Sequence, residues 1–595
     1  MKPLAFVFSV LKMGIVIQLR YVPKLFIAEV PLCILMGIFA ALTIVTTQWL
    51  IDAVVGIVMA GGELYSAFFM LIALGFTLLM HEVLHGLYNF IFQLKLTKLN
   101  GVNREIIHRK IAKIDAICFE DVKLYDDIMK ARQGAGHMNG MVALVTTVIF
   151  YYVPYFIFMG IYLHHLQARL VIALFFIFIP TAIAQFLRTG IMARFIDEQT
   201  PIDREYTYYQ QTIVDREYFK ETRRLGAFPF FMRRLINVMA QKEAVEWRAC
   251  VRTNRLEFII VLLRGVGYLG ILFLLVSALL MGDISVGAFA AVFGSINILF
   301  GLMQEMVDGY IGRLTSGVGM AHNFIRFLHL PEREGEIVVP KEKEGIVAQN
   351  ISFTYPGAHN PSLTNISLTI KAGEKIAIVG ENGAGKTSLV RLLTGLYLPN
   401  KGIVWHHGMN TSKVHPACLF AKQSGVFQHF MRYQMSVGEN VKISDTAKNE
   451  PIEPALTQSG ICIETSTFPL GIDTMLSREF KGVELSGGQW QRIALARGIY
   501  RANSCIVLDE PTAAIDPIEE SFLYNKFIEM AEGRTTIIVT HRLGLAKIAE
   551  RVVVMASGCI MDIGTHDELM IRCDLYKKMF QSQAEWYKPS DEKTF

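Results

Sequence analysis

The sequence predicts a multi-domain membrane protein: an all-α transmembrane domain of six helices, then an α/β domain built on a phosphate-binding loop. Three observations carry this. Of the 595 residues, 52% are hydrophobic and only 19% are charged, where a soluble domain carries roughly 25% charged residues. Six long apolar segments occupy the first half of the chain. The run Gly380-Glu381-Asn382-Gly383-Ala384-Gly385-Lys386-Thr387-Ser388 fits G-x-x-x-x-G-K-[ST], with an apolar strand before it and a helical stretch after it. The expected division is a cytoplasmic N-terminal segment (1–24), a transmembrane domain (25–330), a linker (331–345), a nucleotide-binding domain (346–588) and a tail (589–595).

The apolar segments lie at 25–50, 64–94, 139–163, 170–187, 258–281 and 286–307. About 20 such residues cross a bilayer core, and all but the fourth reach that length comfortably. The stretch 51–63 has no Lys or Arg, nor does the turn at 281–285. By contrast, 95–132 carries Lys95, Lys98, Arg104, Arg109, Lys110 and others, and 188–255 carries Arg223, Arg224, Arg233 and Arg234. The positive-inside rule puts both basic loops, both termini and the phosphate loop on the cytoplasmic side. The net charge of +5 fits those membrane-facing loops and gives no reason to expect nucleic acid. Eight scattered cysteines without a C-x-x-C pair suit a reducing compartment. Residues 1–24 have threaded charges and no small-residue cleavage site, so no cleavable signal peptide is expected.

Within the basic loops, apolar residues recur at helical spacing (Ile106, Ile107, Ile111, Ile114, Ile117). Each loop also holds a short amphipathic piece, at 119–125 and 217–221. The charged, Pro- and Gly-marked stretch 332–345 separates the two halves. Beyond it, short β-rich runs alternate with helices, the pattern of an α/β domain.

Glycines at 380, 383 and 385 let the backbone turn its N–H groups toward phosphate oxygens, and the following helix N-terminus adds its dipole. Lys386 is expected on the β- and γ-phosphates, and the Thr387 hydroxyl on Mg²⁺. The apolar run 505–508 ends in Asp509 and Glu510. A buried strand has no structural use for adjacent acids at its tip. In a phosphate-loop ATPase, Asp509 would hold Mg²⁺ and Glu510 would polarise the attacking water.

With these residues in place, Leu485-Ser486-Gly487-Gly488-Gln489 resembles the signature sequence of the ATP-binding cassette (ABC) transporters. The whole chain resembles the exporter-type half-transporters of that family, six spans fused to one nucleotide-binding domain. The resemblance implies further roles. Tyr355 would stack on adenine, Gln428 would touch Mg²⁺, and Asp516 would lie on a loop crossing a dimer interface. His541 would face the γ-phosphate. Glu381, Asn382, Ala384 and Ser388 complete the phosphate loop. ATP would be closed from above by Ser486 and Gly488 of a second copy, which favours a symmetric homodimer, with a heterodimer as the other arrangement. The pieces at 119–125 and 217–221 match coupling helices.

His81-Glu82-Val83-Leu84-His85 matches the H-E-x-x-H zinc-protease helix but lies inside the second apolar segment with no third ligand at a family spacing. Intramembrane zinc proteolysis is the distant alternative. The other role for these residues is to line a transport path with Glu29, Arg264, Gln304 or Glu305. Short stretches around 426–440, 482–484 and 583–587 resemble bacterial exporters of lantibiotics and related modified peptides. This implies ATP-driven export of such a peptide across the bacterial cytoplasmic membrane. The alternative is a multidrug or lipid exporter of the same architecture. The two dozen residues before the first span are too few for the N-terminal cysteine peptidase that some peptide exporters carry.

Overall fold

The computed structural model describes residues 2–585 except 62–63, 216–217, 307–311, 342, 428–429, 464–465, 502, 510–525 and 542. The chain divides into two units: Met1–Lys110 with Asp126–Leu330, and Ile111–Tyr125 with Pro331–Phe595.

The first unit is all helical: α1 (Lys2–Tyr21), α2 (Pro23–Ala60), α3 (Leu64–Ile111), α4 (Val122–Thr147), α5 (Val153–Leu166), α6 (Ala168–Val214), α7 (Phe219–Arg224), α8 (Phe228–Leu280), α9 (Val286–Gln304) and α10 (Gly312–Leu328). A single π-turn, Val148–Tyr152, joins α4 to α5. Among the described residues, five helices are long and apolar enough to cross a membrane: Pro23–Met59, Leu64–Ile111, Asp126–Leu166, Phe228–Leu280 and Val286–Gln304. The fourth apolar segment of the sequence lies within α6, a continuous helix of 47 residues. Several helices run far past the roughly 30 Å that a bilayer core requires. The basic stretches 95–110 and 188–214 are therefore extensions of α3 and α6.

Large apolar side chains on α3 and α8, among them Phe68, Phe69, Phe76, Phe258, Val266 and Phe273, are exposed. In water such a surface would be unfavourable, while in lipid it is expected. The inward faces meet around Tyr155, Met159, Leu163, Leu275, Ala288 and Ile296. The start of α9 is fixed by Asp52 of α2, which accepts from the Gly287 N–H and the Ser285 hydroxyl at 2.8 Å each. A Cβ on Gly287 would meet the Asp52 carboxylate at 2.4 Å, so only glycine admits this approach.

Two groups of charged side chains in this unit are paired. Lys95 and Glu29 form an ion pair with both side chains at or below 1% exposure, and the Lys95 ammonium lies 5.5–5.8 Å from the Phe92 and Phe26 rings. Stranding either partner alone costs about 3–5 kcal/mol. Arg264 donates to Gln304 at 2.6 Å and to Glu257 at 2.8 Å, and Arg188 also pairs with Glu257. Glu29, Arg264 and Gln304 thus sit in two internal polar groups. His81 and Glu82 approach at 3.7 Å, and His85 meets Asn89 at 3.3 Å. The one grouping of three His, Cys, Asp or Glu at metal-binding distance among the described residues includes none of His81, Glu82 and His85.

The second unit is the α/β half. One sheet is antiparallel, in the order β2-β1-β4-β5, from Ile346–Phe353 (β1), Leu363–Ile370 (β2), Lys401–His406 (β4) and Met409–Asn410 (β5). The other has the order β10-β9-β3-β8-β7-β6. It comprises Lys375–Gly380 (β3), Gln423–Val426 (β6), Cys505–Asp509 (β7), Thr535–Val539 (β8), Arg551–Ala556 (β9) and Cys559–Gly564 (β10). Strands β9, β3, β8, β7 and β6 are parallel, and β10 closes the edge antiparallel. Strands β7 and β8 are buried throughout, as a parallel sheet covered on both faces requires. Strand β1 mixes buried and exposed positions, and its buried Ile346, Ile351 and Phe353 join Ile378, Leu389 and Val507 in one core.

The segment Ile111–Tyr125 belongs to this unit although it precedes it by two hundred residues. Ile114 bridges to Glu332, and the Arg333 N–H donates to the Lys113 carbonyl at 3.0 Å. Ala116 and Ile117 pack against the core. The piece at 119–125 is not one helix. A 3₁₀ turn, Ala116–Glu120, is capped by Asp115, and the chain turns at Asp121 before α4 begins. Of the second piece, Glu217 lies outside the described residues and the rest enters the short α7.

Candidate nucleotide-binding site

β3 delivers the chain to the glycine-rich loop, and α11 (Lys386–Leu393) carries it away. Gly383 and Gly385 hold φ of +80° and +95°, a region closed to most side chains. Gly385 is also the N-cap of α11, where a Cβ would lie 2.7 Å from Leu363 and 2.9 Å from the Ser362 carbonyl. Lys386 is 5% exposed. Its ammonium spans the loop, donating to the Gly380 and Glu381 carbonyls at 3.0 Å each.

A cleft of about 670 Å³ opens over this loop, lined by Asn382, Gly383, Gly385, Lys386, Thr387, Ser388 and His541. Gly380 and Ala384, both buried, and the exposed Glu381 belong to the same turn but do not line the cleft. Thr387 also lines a second cleft of about 610 Å³, together with Asp509 at the tip of β7. A hydroxyl at a helix start and a buried carboxylate at a strand end, facing one space, are the oxygen donors that Mg²⁺ takes. The donor set therefore fits Mg²⁺, and the loop fits a polyphosphate.

Tyr355 stands beside the loop. Its hydroxyl lies 3.0 Å from the Ser388 hydroxyl, and its ring packs edge-on against Phe353 and Tyr397. Ser486 caps the helix Gly487–Tyr500 in a capping box: its hydroxyl accepts from the Gln489 N–H, and the Gln489 side chain accepts from the Ser486 N–H at 2.9 Å. Ser486 is exposed, and neither it nor Gly488 lines either cleft. Gln428, Glu510 and Asp516 lie outside the described residues.

The sequence reading missed a polar cluster joining this site to the 3₁₀ turn. Arg391, one turn after Thr387 on α11, donates to Glu120 at 3.0 Å, Tyr397 at 3.2 Å and Tyr355 at 3.3 Å. The Tyr397 hydroxyl donates to the same Glu120 oxygen. Burial, with that hydrogen bond second, pushes the Tyr397 phenol well above its ordinary value, so it stays a neutral donor. Nearby, Arg333 lies 3.8 Å from Asp115 and donates to the Leu396 and Thr411 carbonyls. The only sequence signal was the position of Arg391 on the phosphate-loop face of its helix.

Comparison with known proteins agrees with this geometry. Residues 363–513 match the family model described as ABC transporter. The chain is 34% identical over 325 residues to the subtilin transport ATP-binding protein SpaT of Bacillus subtilis, covering 53% of this chain and 52% of that protein. It is 38% identical over 248 residues to the nisin transport ATP-binding protein NisT of Lactococcus lactis, covering 41% of each. It is 31% identical over 318 residues to an ATP-dependent lipid A-core flippase of Methylobacillus flagellatus, covering 53% and 54%. The chain thus spans about half the length of the curated relatives it matches. A solved bacterial Atm1-family ABC exporter with ATP bound superposes with a TM-score of 0.80 at 21% identity, over 95% of this chain and all of that one. Residues 363–513 are an ABC transporter domain, and the chain that carries them has the fold of an ABC exporter.

Proposed function

We propose that this chain is one half of an ATP-driven exporter of the bacterial cytoplasmic membrane, working as a homodimer by alternating access, with a lantibiotic-like modified peptide as cargo. One observation carries the reading. The phosphate loop, Lys386, Thr387, Asp509 and His541 gather at two clefts that share Thr387, while Ser486 and Gly488 line neither. A second copy would bring its signature helix to the open side, completing a site that one chain leaves half built. The nucleotide-binding half and both termini would be cytoplasmic, in keeping with the basic loops.

Mg²⁺, held by Thr387, Asp509 and Gln428, would neutralise charge on the β- and γ-phosphates. Lys386 would hold the same oxygens, Glu510 would orient the attacking water, and His541 would face the γ-phosphate. Nucleotide favours the closed dimer only by binding it better than the open one. The Glu120–Arg391–Tyr355 cluster offers a path from that event to the first loop. Its ion pair is about one-third exposed on each side, so it adds little stability, about 0.2–1 kcal/mol. Its expected role is coupling. Glu120→Ala should leave the KM for ATP nearly unchanged and weaken cargo stimulation of turnover by about 0.5–2 kcal/mol, a several-fold loss. Steady-state ATPase assays with and without cargo separate the two effects.

The peptide reading draws on the subtilin and nisin relatives. The flippase relative supports a lipid or multidrug exporter as the second reading. Purified dimers in nanodiscs distinguish them. A modified peptide should stimulate turnover saturably at low concentration, whereas weak stimulation by many hydrophobic compounds would favour the second reading.

A further inference from the structure

We propose that His406, His407 and Cys505 form a buried site for a thiophilic cation, Zn²⁺ or Cu⁺, at the end of the α/β unit remote from Asp509 along β7. The proposal does not depend on the export reading.

The three residues are each at most 1% exposed, and one donor atom from each lies within 4.8 Å of the others. Both imidazoles are already oriented as metal ligands are. His406 Nδ1 lies 3.0 Å from the Leu393 carbonyl, and His407 Nδ1 lies 2.7 Å from the Glu344 carbonyl. A carbonyl accepts, so each Nδ1 carries the proton and each Nε2 presents a lone pair. A backbone carbonyl on the second nitrogen is the usual outer-shell partner of a ligating histidine. Two imidazoles and a thiolate are the donor set that Zn²⁺ and Cu⁺ take in preference to Mg²⁺ or Ca²⁺.

The backbone supplies a second, independent observation. Consecutive strand residues point to opposite faces, yet both histidines are buried with ring centroids 4.6 Å apart. The reason is that His407 and Gly408 form the two-residue turn between the paired His406 and Met409, with φ of +49° and +73°. Such turns favour Asn-Gly, and their tips are ordinarily solvated. Here histidine, which tolerates the left-handed region, takes the first turn position and its side chain is buried at the tip, beside His406.

In the absence of a cation, the Gln423 side-chain N–H lies 3.0 Å from His406 Nε2, and the Ser504 hydroxyl lies 3.4 Å from His407 Nε2. Metal binding would displace these two contacts, and the Cys505 thiol would release its proton to solvent as the metal–sulfur bond forms. The ion would tie the β4–β5 hairpin to β7, the strand that ends in Asp509.

The test uses the full-length protein, stripped with chelator and held in Mg²⁺ buffer without nucleotide, then titrated separately with Zn²⁺ and with Cu⁺. Cobalt(II) serves as a spectroscopic reporter of thiolate ligation. One ion per chain of either cation, in wild type and in the His81→Ala/His85→Ala control, supports the site, and the tighter cation names it. His407→Asn keeps a residue that suits the turn, and Cys505→Ser is nearly isosteric. Each should weaken binding by about 100-fold or more, and Cys505→Ser should abolish the cobalt–thiolate charge-transfer band. The metal should raise the melting temperature of wild type but not of either variant. The proposal is overturned if wild type binds less than about half an ion per chain, if binding survives both variants, or if it disappears only in the His81/His85 control. In those cases the cluster is a hydrogen-bonded knot.

Discussion

Lys386→Ala should lower ATP turnover by about 100-fold or more, the usual consequence of removing a preorganised charge from a phosphoryl-transfer site. The side chain is buried at the mouth of the loop, with its ammonium on the Gly380 and Glu381 carbonyls. Alanine removes that charge and leaves the glycine turn, whose conformation depends on Gly383 and Gly385. The variant should therefore fold, insert and dimerise while failing to hold the β- and γ-phosphates. Steady-state ATPase with nucleotide binding measured in parallel checks this. Any activity that survives the substitution intact would belong to a different chemistry, such as proteolysis through His81, Glu82 and His85.

Gly488→Asp should produce a different failure: nucleotide binds, but turnover again falls by about 100-fold or more. Gly488 is the second residue of the helix Gly487–Tyr500. An acid in a first helical turn is locally favourable because it complements the helix dipole, so the helix should persist. The harm would come from the partner's nucleotide, whose γ-phosphate would meet a like charge at close range, at a cost of several kcal/mol. Nucleotide-dependent cross-linking between copies reads this directly, since the variant should bind ATP yet stay open. A Gly488→Asp protein with wild-type turnover would mean that the signature helix does not face nucleotide.

What could be read from the sequence was local. The phosphate loop, Asp509 at a strand tip and the signature sequence at 485–489 are each set within a few residues, because glycine turns, strand ends and short motifs are local devices. What could not be read was set by distant packing. Glu120 and Arg391 are 271 positions apart, and nothing in either neighbourhood announces the other. The amphipathic stretch 119–125 suggested one short helix, but Asp115 and Asp121 divide it into a 3₁₀ turn and the start of α4. The basic residues of the loops marked only the cytoplasmic side, whereas Lys95 is drawn inward to Glu29 on α3. The His407 turn went unread because His-Gly is not among the Asn-Gly and Asp-Gly pairs that announce such hairpins, although histidine tolerates φ of +49°.

The central claim is that two copies trap nucleotide between them and that its cleavage moves cargo. Uptake of a labelled modified peptide into inverted membrane vesicles, with wild type and Glu510→Gln compared side by side, tests it most directly. The account predicts ATP-dependent accumulation with wild type and none with Glu510→Gln, although that variant still binds ATP and closes. Accumulation that proceeds equally in both, or wild-type dimers that hydrolyse ATP while moving neither peptide nor lipid, would contradict it.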